Sequence, residues 1–525
     1  MLYSISMDKG DINTISYQQE NLKLRQEVEE LKTLVKYYEE QLMLSKHKKY
    51  GASSEKTHPN ERQLLLFDEA ENEAERRKPE PSLEEITYKR RKREGKREDD
   101  LSELPIEVEE HSLPEEERIC PECGGATHVM GHDSRRELDI IPAKVIIKEH
   151  RWEVYSCRNC ERAGTHVPVV KAPVPEPLIK GSLASPSSVA HIMTQKYVNA
   201  MPLYRQEQDL LSRDITLSRQ TMANWLIRCS QDWLEPVYES MKESLLRQSI
   251  LHVDETSVHV LREPGRASRT ESYMWLYRTS GCAPHAIILY EYQPTRSGSH
   301  PRKFLESYKG YLHADGYSGY HGLGESITLV CCFAHARRKF YEALKSLPLE
   351  AQKTATARIG LEYCNRLFEL ERDYEKRSLC PDERYKRRLE ESKPISDEFF
   401  RWAFETKALP KSPLGKAIHY ALKQRGNLEN VFLDGRLELS NNRAERTIRA
   451  FVIGRNNWLF SATQKGARAS SVIYSVVQTA KENGLKPFEY LEHLFRMIPS
   501  STRNDLEGLL PWSEQLPDSC RMKKE

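Results

Sequence analysis

Two short apolar runs in this chain each end in an aspartate, and together they limit the fold more than any other feature. Ile250-Leu251-His252-Val253 leads into Asp254-Glu255-Thr256, and Tyr311-Leu312-His313-Ala314 leads into Asp315-Gly316. Runs of this length that hold branched residues read as buried strands. Each aspartate is then expected where its strand emerges from the sheet. A carboxylate at such a place is costly unless something uses it, and hard divalent cations are the usual users. The plainer alternative is that Asp254 caps a turn. A third stretch, from Leu437 to Arg449, offers Ser440 or Asn441 as helix caps, with Glu445 on the first turns and Arg443, Arg446 and Arg449 around it. Two strand-end aspartates and a helical glutamate are the parts of a two-metal phosphoryl-transfer site.

Composition narrows the class. The chain has 525 residues, 30% of them charged, and a mean hydropathy of -0.70. That length suits several domains. No apolar run is long enough to span a bilayer, and Met1 to Gln19 lacks a signal-peptide core, so no membrane partner is expected. A net charge of +2 does not by itself announce a nucleic-acid binder, but the basic residues are clustered locally. Eleven cysteines without a secretion signal point to a reducing compartment rather than a disulfide framework.

From the start of the chain, Asn21, Val28, Val35 and Leu42 repeat at one heptad position, and Tyr17, Leu24, Leu31 and Tyr38 at the other. This predicts a coiled coil over 15–48 and a dimer or higher assembly, the alternative being one amphipathic helix packed on its own domain. A charged linker is expected over 49–117, with a basic run at Lys89 to Arg93. Cys120-Pro121-Glu122-Cys123 and Cys157-Arg158-Asn159-Cys160 are paired CxxC knuckles, suited to one structural zinc in a ribbon-like module over 118–168. A single such pair would also fit redox chemistry. Val145 to Ile147 and Arg151 to Tyr155 read as its strands, and Val169 to Pro177 as a proline-rich linker.

Residues 178–247 read as helical. Within them Ser218 would cap a recognition helix that turns Arg219, Gln220 and Asn224 to a DNA groove, while a plain bundle with Trp225 in its core fits equally. The stretch 248–343 reads as four strands, a helix and a strand up to Tyr320, then a strand at Thr328 to Phe333. His335, Arg337, Arg338 and Lys339 open the helix after it. Cys331 and Cys332 read as core. A charged helical insertion is expected over 344–432, the sheet domain resuming over 433–496 before a tail at 497–525.

These residues carry a resemblance to a known family. Tyr50-Gly51, Ser54-Glu55-Lys56, the CxxC pairs, Leu203 to Glu207, Asn224-Trp225, Asp254-Glu255-Thr256, Ala314 to Tyr317, Ala334 to Arg338 and Ser440 to Arg446 together resemble the large transposase of bacterial insertion-sequence family sixty-six. The chain departs from that pattern at Asn456, where many relatives carry lysine, and at Ser440, where many carry aspartate. The resemblance implies a multidomain α+β chain with a ribonuclease H-like catalytic domain and a helical insertion before its last acid. It implies the triad Asp254, Asp315 and Glu445 holding two Mg2+ ions. Arg337, Arg338, Arg446, Arg449 and Arg455 would serve as DNA contacts. The implied partners are double-stranded DNA, both element ends and target, and small accessory proteins encoded beside the transposase. The implied location is the cytoplasm, at the nucleoid. Two other readings stay open: a non-catalytic DNA-binding relic, and a structure-specific nuclease.

Overall fold

The computed structural model describes residues 176–500 and 503–523, together with 24, 25, 28, 145–151, 153–156, 162 and 169–171. Cys120, Cys123, Cys157 and Cys160 lie outside the described residues, as do the linker at 49–117 and most of the expected coiled coil. Leu24, Arg25 and Val28 are helical, and Leu24 and Val28, both heptad positions, are 53% and 47% exposed. The chain divides into two units, 53–174 and 1–52 with 175–525.

In the smaller unit β1 (Val154–Ser156) pairs antiparallel with β2 (Val169–Lys171). Strand β2 falls where a linker was expected. Pro168 and Pro173 bracket it, and proline at strand ends leaves the branched pair Val169-Val170 free to enter a ladder. Residues 145–147 form no strand and are exposed.

The larger unit begins with helices α1 (Pro186–Tyr197), α2 (Leu203–Leu211), α3 (Arg219–Cys229) and α4 (Glu235–Leu246). Ser185 caps α1 ahead of Pro186, and the Ser218 hydroxyl accepts from the Thr221 amide at 3.2 Å to start α3. Met222, Trp225, Leu226 and Cys229 are the buried stripe of α3.

The sheet follows: β3 (Ile250–Arg262), β4 (Glu271–Thr279), β5 (Ile288–Gln293), then α5 (Ser299–Phe304), β6 (Gly310–Ala314) and β7 (Ile327–Cys331). Its order is β5-β4-β3-β6-β7, antiparallel on the β4 side and parallel on the β6 side. Three strands precede α5, not four, because β3 does not stop at the acidic pair. Val258 and Val260 are buried beyond it, alternating with an exposed His259, and this carries the strand on.

Helices α6 (Phe333–Lys345), α7 (Leu349–Gln352), α8 (Thr356–Lys376), α9 (Pro381–Arg387), α10 (Lys393–Glu405), α11 (Pro413–Lys423) and α12 (Arg425–Glu429) then bury their own core around Phe340, Leu367, Phe399 and Leu428. The chain returns through α13 (Asn442–Trp458), β8 (Phe460–Thr463), α14 (Gln464–Glu482) and α15 (Pro487–Met497). Among the described residues no helix is long and apolar enough to cross a membrane.

The open edge of β5 is closed by α14. Ser475 and Thr479 on that helix and Asn483 at its C-cap stand four residues apart. Ser475 Oγ accepts from the Tyr290 amide at 2.7 Å, Thr479 Oγ1 from the Ile288 amide at 3.0 Å, and Asn483 Nδ2 donates to the Ala286 carbonyl at 2.7 Å. A helix thus supplies the partners an edge strand lacks.

The insertion is tied to the segment before α13 by Arg388, whose guanidinium is buried. It meets both Glu371 oxygens at 2.6 and 2.7 Å and donates to the carbonyls of Val431, Asp434 and Leu437 at 3.4, 3.3 and 2.8 Å. Removing the arginine leaves the Glu371 charge unpaired and takes a donor from three carbonyls. Arg388→Ala should therefore cost about 3–5 kcal/mol, measured by denaturant unfolding.

Candidate functional site: three carboxylates at a gap in the central strand

Strand β3 has an unequal pair of edges. On one side β4 accompanies it from Leu251 to His259. On the other, β6 pairs with it to His252, opposite His313, and β8 takes over at His259. Among the described residues, 253–258 have no strand partner on that side. Asp254 lies in this gap, in mid-strand and not at a strand end as the sequence suggested. Asp315 follows the last residue of β6, and Glu445 comes from the first turn of α13.

The three side chains are close enough to sense one another. Burial pushes the Asp254 carboxyl well above the usual carboxylate range, and the charges of Glu255, Asp315 and Glu445 add to the shift. Asp254 Oδ1 accepts from the Glu255 amide at 2.9 Å, and Asp315 Oδ1 from the Tyr317 amide at 2.8 Å. The backbone beyond Asp315 needs glycine, since a Cβ on Gly316 would meet the Tyr420 ring at 2.6 Å.

A buried histidine pair lies one step behind the aspartates. His252 and His313 are register partners, two residues before Asp254 and Asp315, so both rings lie on the face of the sheet that Asp254 faces. The rings stack at 4.3 Å and 8°. Asn441, at the start of α13, joins this pair to the third acid. Its Nδ2 donates to the Val253 carbonyl at 2.7 Å, which sets the amide's orientation and turns Oδ1 to His252 Nδ1 at 2.9 Å. The hydrogen is therefore on His252 Nδ1. Asn441 occupies the cap position expected of it, but its side chain secures the helix to β3 instead of capping it. Glu438 closes the network: its amide donates to His313 Nε2 at 3.3 Å, and its carboxylate takes Arg443 Nε at 2.8 Å.

Glu255 belongs to the same site although its side chain is 2% exposed. Burial raises its pKa, Tyr320 and Arg296 oppose the rise by hydrogen bonding, and Asp315 adds to it. Arg296 Nε donates to it at 2.8 Å, and the guanidinium lies 3.9 Å over the Tyr317 ring. Arg296 had no pattern around it in the sequence. The doubled His-x-Asp at 252–254 and 313–315 was a visible sign of the histidine pair.

Near Glu445, Arg338 donates to Oε2 at 3.3 Å and His335 Nε2 stands 3.6 Å from Oε1. Cys332, read as core, is buried as expected, and its sulfur forms with His335 and Glu445 a group able to hold a metal ion.

The candidate DNA contacts divide. Arg219, Gln220 and Asn224 are exposed on α3, with Arg219 drawn to Glu207. Arg446 and Arg449 are exposed on α13 with no ion pair among the described residues. Arg337 binds Asn365 of the insertion at 2.6 Å. Arg455 turns inward instead. Its guanidinium donates to Thr256 Oγ1 at 3.0 Å and to the Ser257 carbonyl, within the stretch of β3 that has a strand on its β4 side alone.

A carboxyl raised on folding binds protons more tightly in the folded chain. Its penalty is absent below the unfolded value, about 4, and grows as pH rises toward the folded value. Without divalent ions, Asp254→Asn should therefore stabilise the protein at pH 7 by at least about 1 kcal/mol, about 2–4 °C in Tm. The gain should shrink as pH falls toward 4, and calorimetry across pH checks both.

Comparison with known proteins follows this geometry. Residues 181–469, which contain the sheet, the insertion and all three carboxylates, match the model of the transposase IS66 family. Residues 117–161 match the zinc-finger binding domain of transposase IS66, and 475–512 the IS66 C-terminal element. Residues 37–108 match the model described as transposase C of IS166 homeodomain. Uncharacterized protein y4jD of Sinorhizobium fredii is 31% identical over 415 residues, 76% of this chain and 78% of the relative. Uncharacterized protein y4hP of the same organism is 31% identical over 435 residues, 78% and 76%. The chain belongs to the transposase IS66 family.

Proposed function

We infer that this protein binds the ends of an insertion sequence and cleaves and joins DNA strands, with Asp254, Asp315 and Glu445 holding two Mg2+ ions. The observation that carries this is the meeting of three carboxylates in the unpaired gap of β3. Oxygen donors of this kind suit a hard cation, and Glu445 Oε1, buried and without a hydrogen-bond partner, is a ligand atom to spare. The strand order, three antiparallel and two parallel around β3, supports a ribonuclease H-like catalytic domain over 248–343 and 433–496, interrupted by the insertion at 344–432.

When bound, the ions would neutralise charge at the reacting phosphate and ionise the attacking oxygen. The protein's own groups hold and orient. Glu255 keeps Arg296 at the edge of the site, and Arg446 and Arg449 stand free beside Glu445 to take backbone phosphates. Arg337 and Arg338 flank the same helix entrance. Arg455 braces β3 and in this reading is not a DNA contact. Helix α3 turns Arg219, Gln220 and Asn224 to the element end.

Cys120, Cys123, Cys157 and Cys160 hold one structural zinc in the module 118–168. The segment 15–48 joins two copies, so that both ends of the element are held together; Leu24 and Val28, exposed in one chain, favour this. Accessory proteins of the same element and a location at the nucleoid accompany the reading.

Glu445→Gln keeps the shape of the side chain and removes the charge. Nicking of labelled ends in magnesium should fall by at least about 10²–10³-fold, about 3–4 kcal/mol, while gel shift of the same ends stays near wild type. Wild-type nicking would overturn the catalytic assignment, and loss of binding and nicking together would make this helix structural. The double substitution Cys120→Ser, Cys123→Ser should lower the zinc content of the protein by one per chain, measured by metal analysis.

A further inference from the structure

Three groups of different chemistry meet beside Glu445. Cys332 is at the N-cap of α6 and His335 is on its first turn, so both stand at one end of that helix. One ligand atom from each of Cys332, His335 and Glu445 lies within 4.8 Å of the other two. Two of these groups hold buried atoms short of a partner. His335 Nε2 is 3.6 Å from Glu445 Oε1, too far for a hydrogen bond. His335 Nδ1 and Glu445 Oε1 are buried without any hydrogen bond. Arg338 holds the other oxygen of Glu445, which leaves Oε1 turned to the ring. The Asn441 amide donates to Cys332 Sγ at 3.1 Å. Only a cation among the ordinary partners would complete sulfur, imidazole and carboxylate at once.

We propose that Cys332 Sγ, a ring nitrogen of His335 and Glu445 Oε1 form a binding site for a borderline divalent cation such as zinc, distinct from the oxygen-only set made with Asp254 and Asp315. Thiolate and imidazole favour zinc over magnesium. Ligand atoms on a tetrahedral zinc lie about 3.3–3.8 Å apart, a separation His335 Nε2 and Glu445 Oε1 already have at 3.6 Å. The thiol proton is released to solvent as the sulfur–metal bond forms. His335 and Glu445 are each 23% exposed, which gives the ion a path in, and three protein ligands leave a fourth position for water. A cation here draws Glu445 away from the aspartates. Zinc then inhibits strand cleavage even in excess magnesium. The inhibition rests on the catalytic reading of Glu445 given above, whereas the site itself does not.

The test uses the full-length protein as purified and adds Co2+, whose bond to a thiolate absorbs in the near ultraviolet. The other cysteines contribute equally in wild type and variants, so the difference reports this site. Wild type should bind one cobalt per chain more than Cys332→Ser, and His335→Gln, at a half-buried position that spares the fold, should weaken that binding at least tenfold. Equal uptake by wild type and both variants would overturn the site. In nicking assays with magnesium, the zinc concentration for half inhibition should rise at least tenfold in Cys332→Ser. Binding lost without any change in inhibition would overturn the regulatory consequence. Wild-type nicking by Glu445→Gln would remove the catalytic reading, and the cobalt measurement would still decide the site.

Discussion

Four carboxylates are held against one another at the centre of this protein, and ordinary folding opposes it. Burial raises Asp254 and Glu255; the charges of Glu255, Asp315 and Glu445 add to the cost at Asp254, and that of Asp315 to the cost at Glu255. Like charges brought out of water repel strongly and are tolerated where the surroundings hold them in place. Much of the scaffold described above serves to do so.

The means are mostly neutral hydrogen bonds and packing. The stacked His252 and His313 fill the face behind the aspartates without adding charge: burial carries the His252 pKa down to about 3 and depresses His313 as well. Asn441 fastens the helix of Glu445 to the strand of Asp254 by two bonds on one amide. Arg388 holds the segment leading to that helix from the side of the insertion. Helix α14 closes the β5 edge of the sheet, and the gap in β3 lies between its pairings with β6 and β8. The insertion is therefore more than an excursion between two acids, because its buried arginine helps set where the last acid enters.

Much of this was legible in the sequence. Apolar runs ending in aspartate, the cap-like residues before Glu445 and the amphipathic stripe of α3 are local patterns, and the structure has strands and helices at those places. What the residues near Glu445 touch was not legible. Arg455 reads as one more basic residue on a basic helix, yet it is spent on Thr256 and Ser257. Cys332 reads as an apolar neighbour of Cys331, yet its sulfur faces His335 and Glu445. Strand β2 was hidden among prolines, because strand pairing depends on a partner that local composition does not name.

The sequence by itself determined the family, most of the run of helices and strands, and which carboxylates were available. Periodicity, capping and spacing are properties of neighbouring residues, and they survive being read one window at a time. The tertiary structure alone decided that Asp254 lies in mid-strand, that Glu255 and Arg296 join the site, and that one arginine braces while two stand free. Each of those depends on contacts between residues far apart in the chain: β6 leaving β3 after His252, β8 arriving at His259, and Asn441 crossing between them. The gap that gathers the acids is a property of the pairing of three strands, and no one of them carries it.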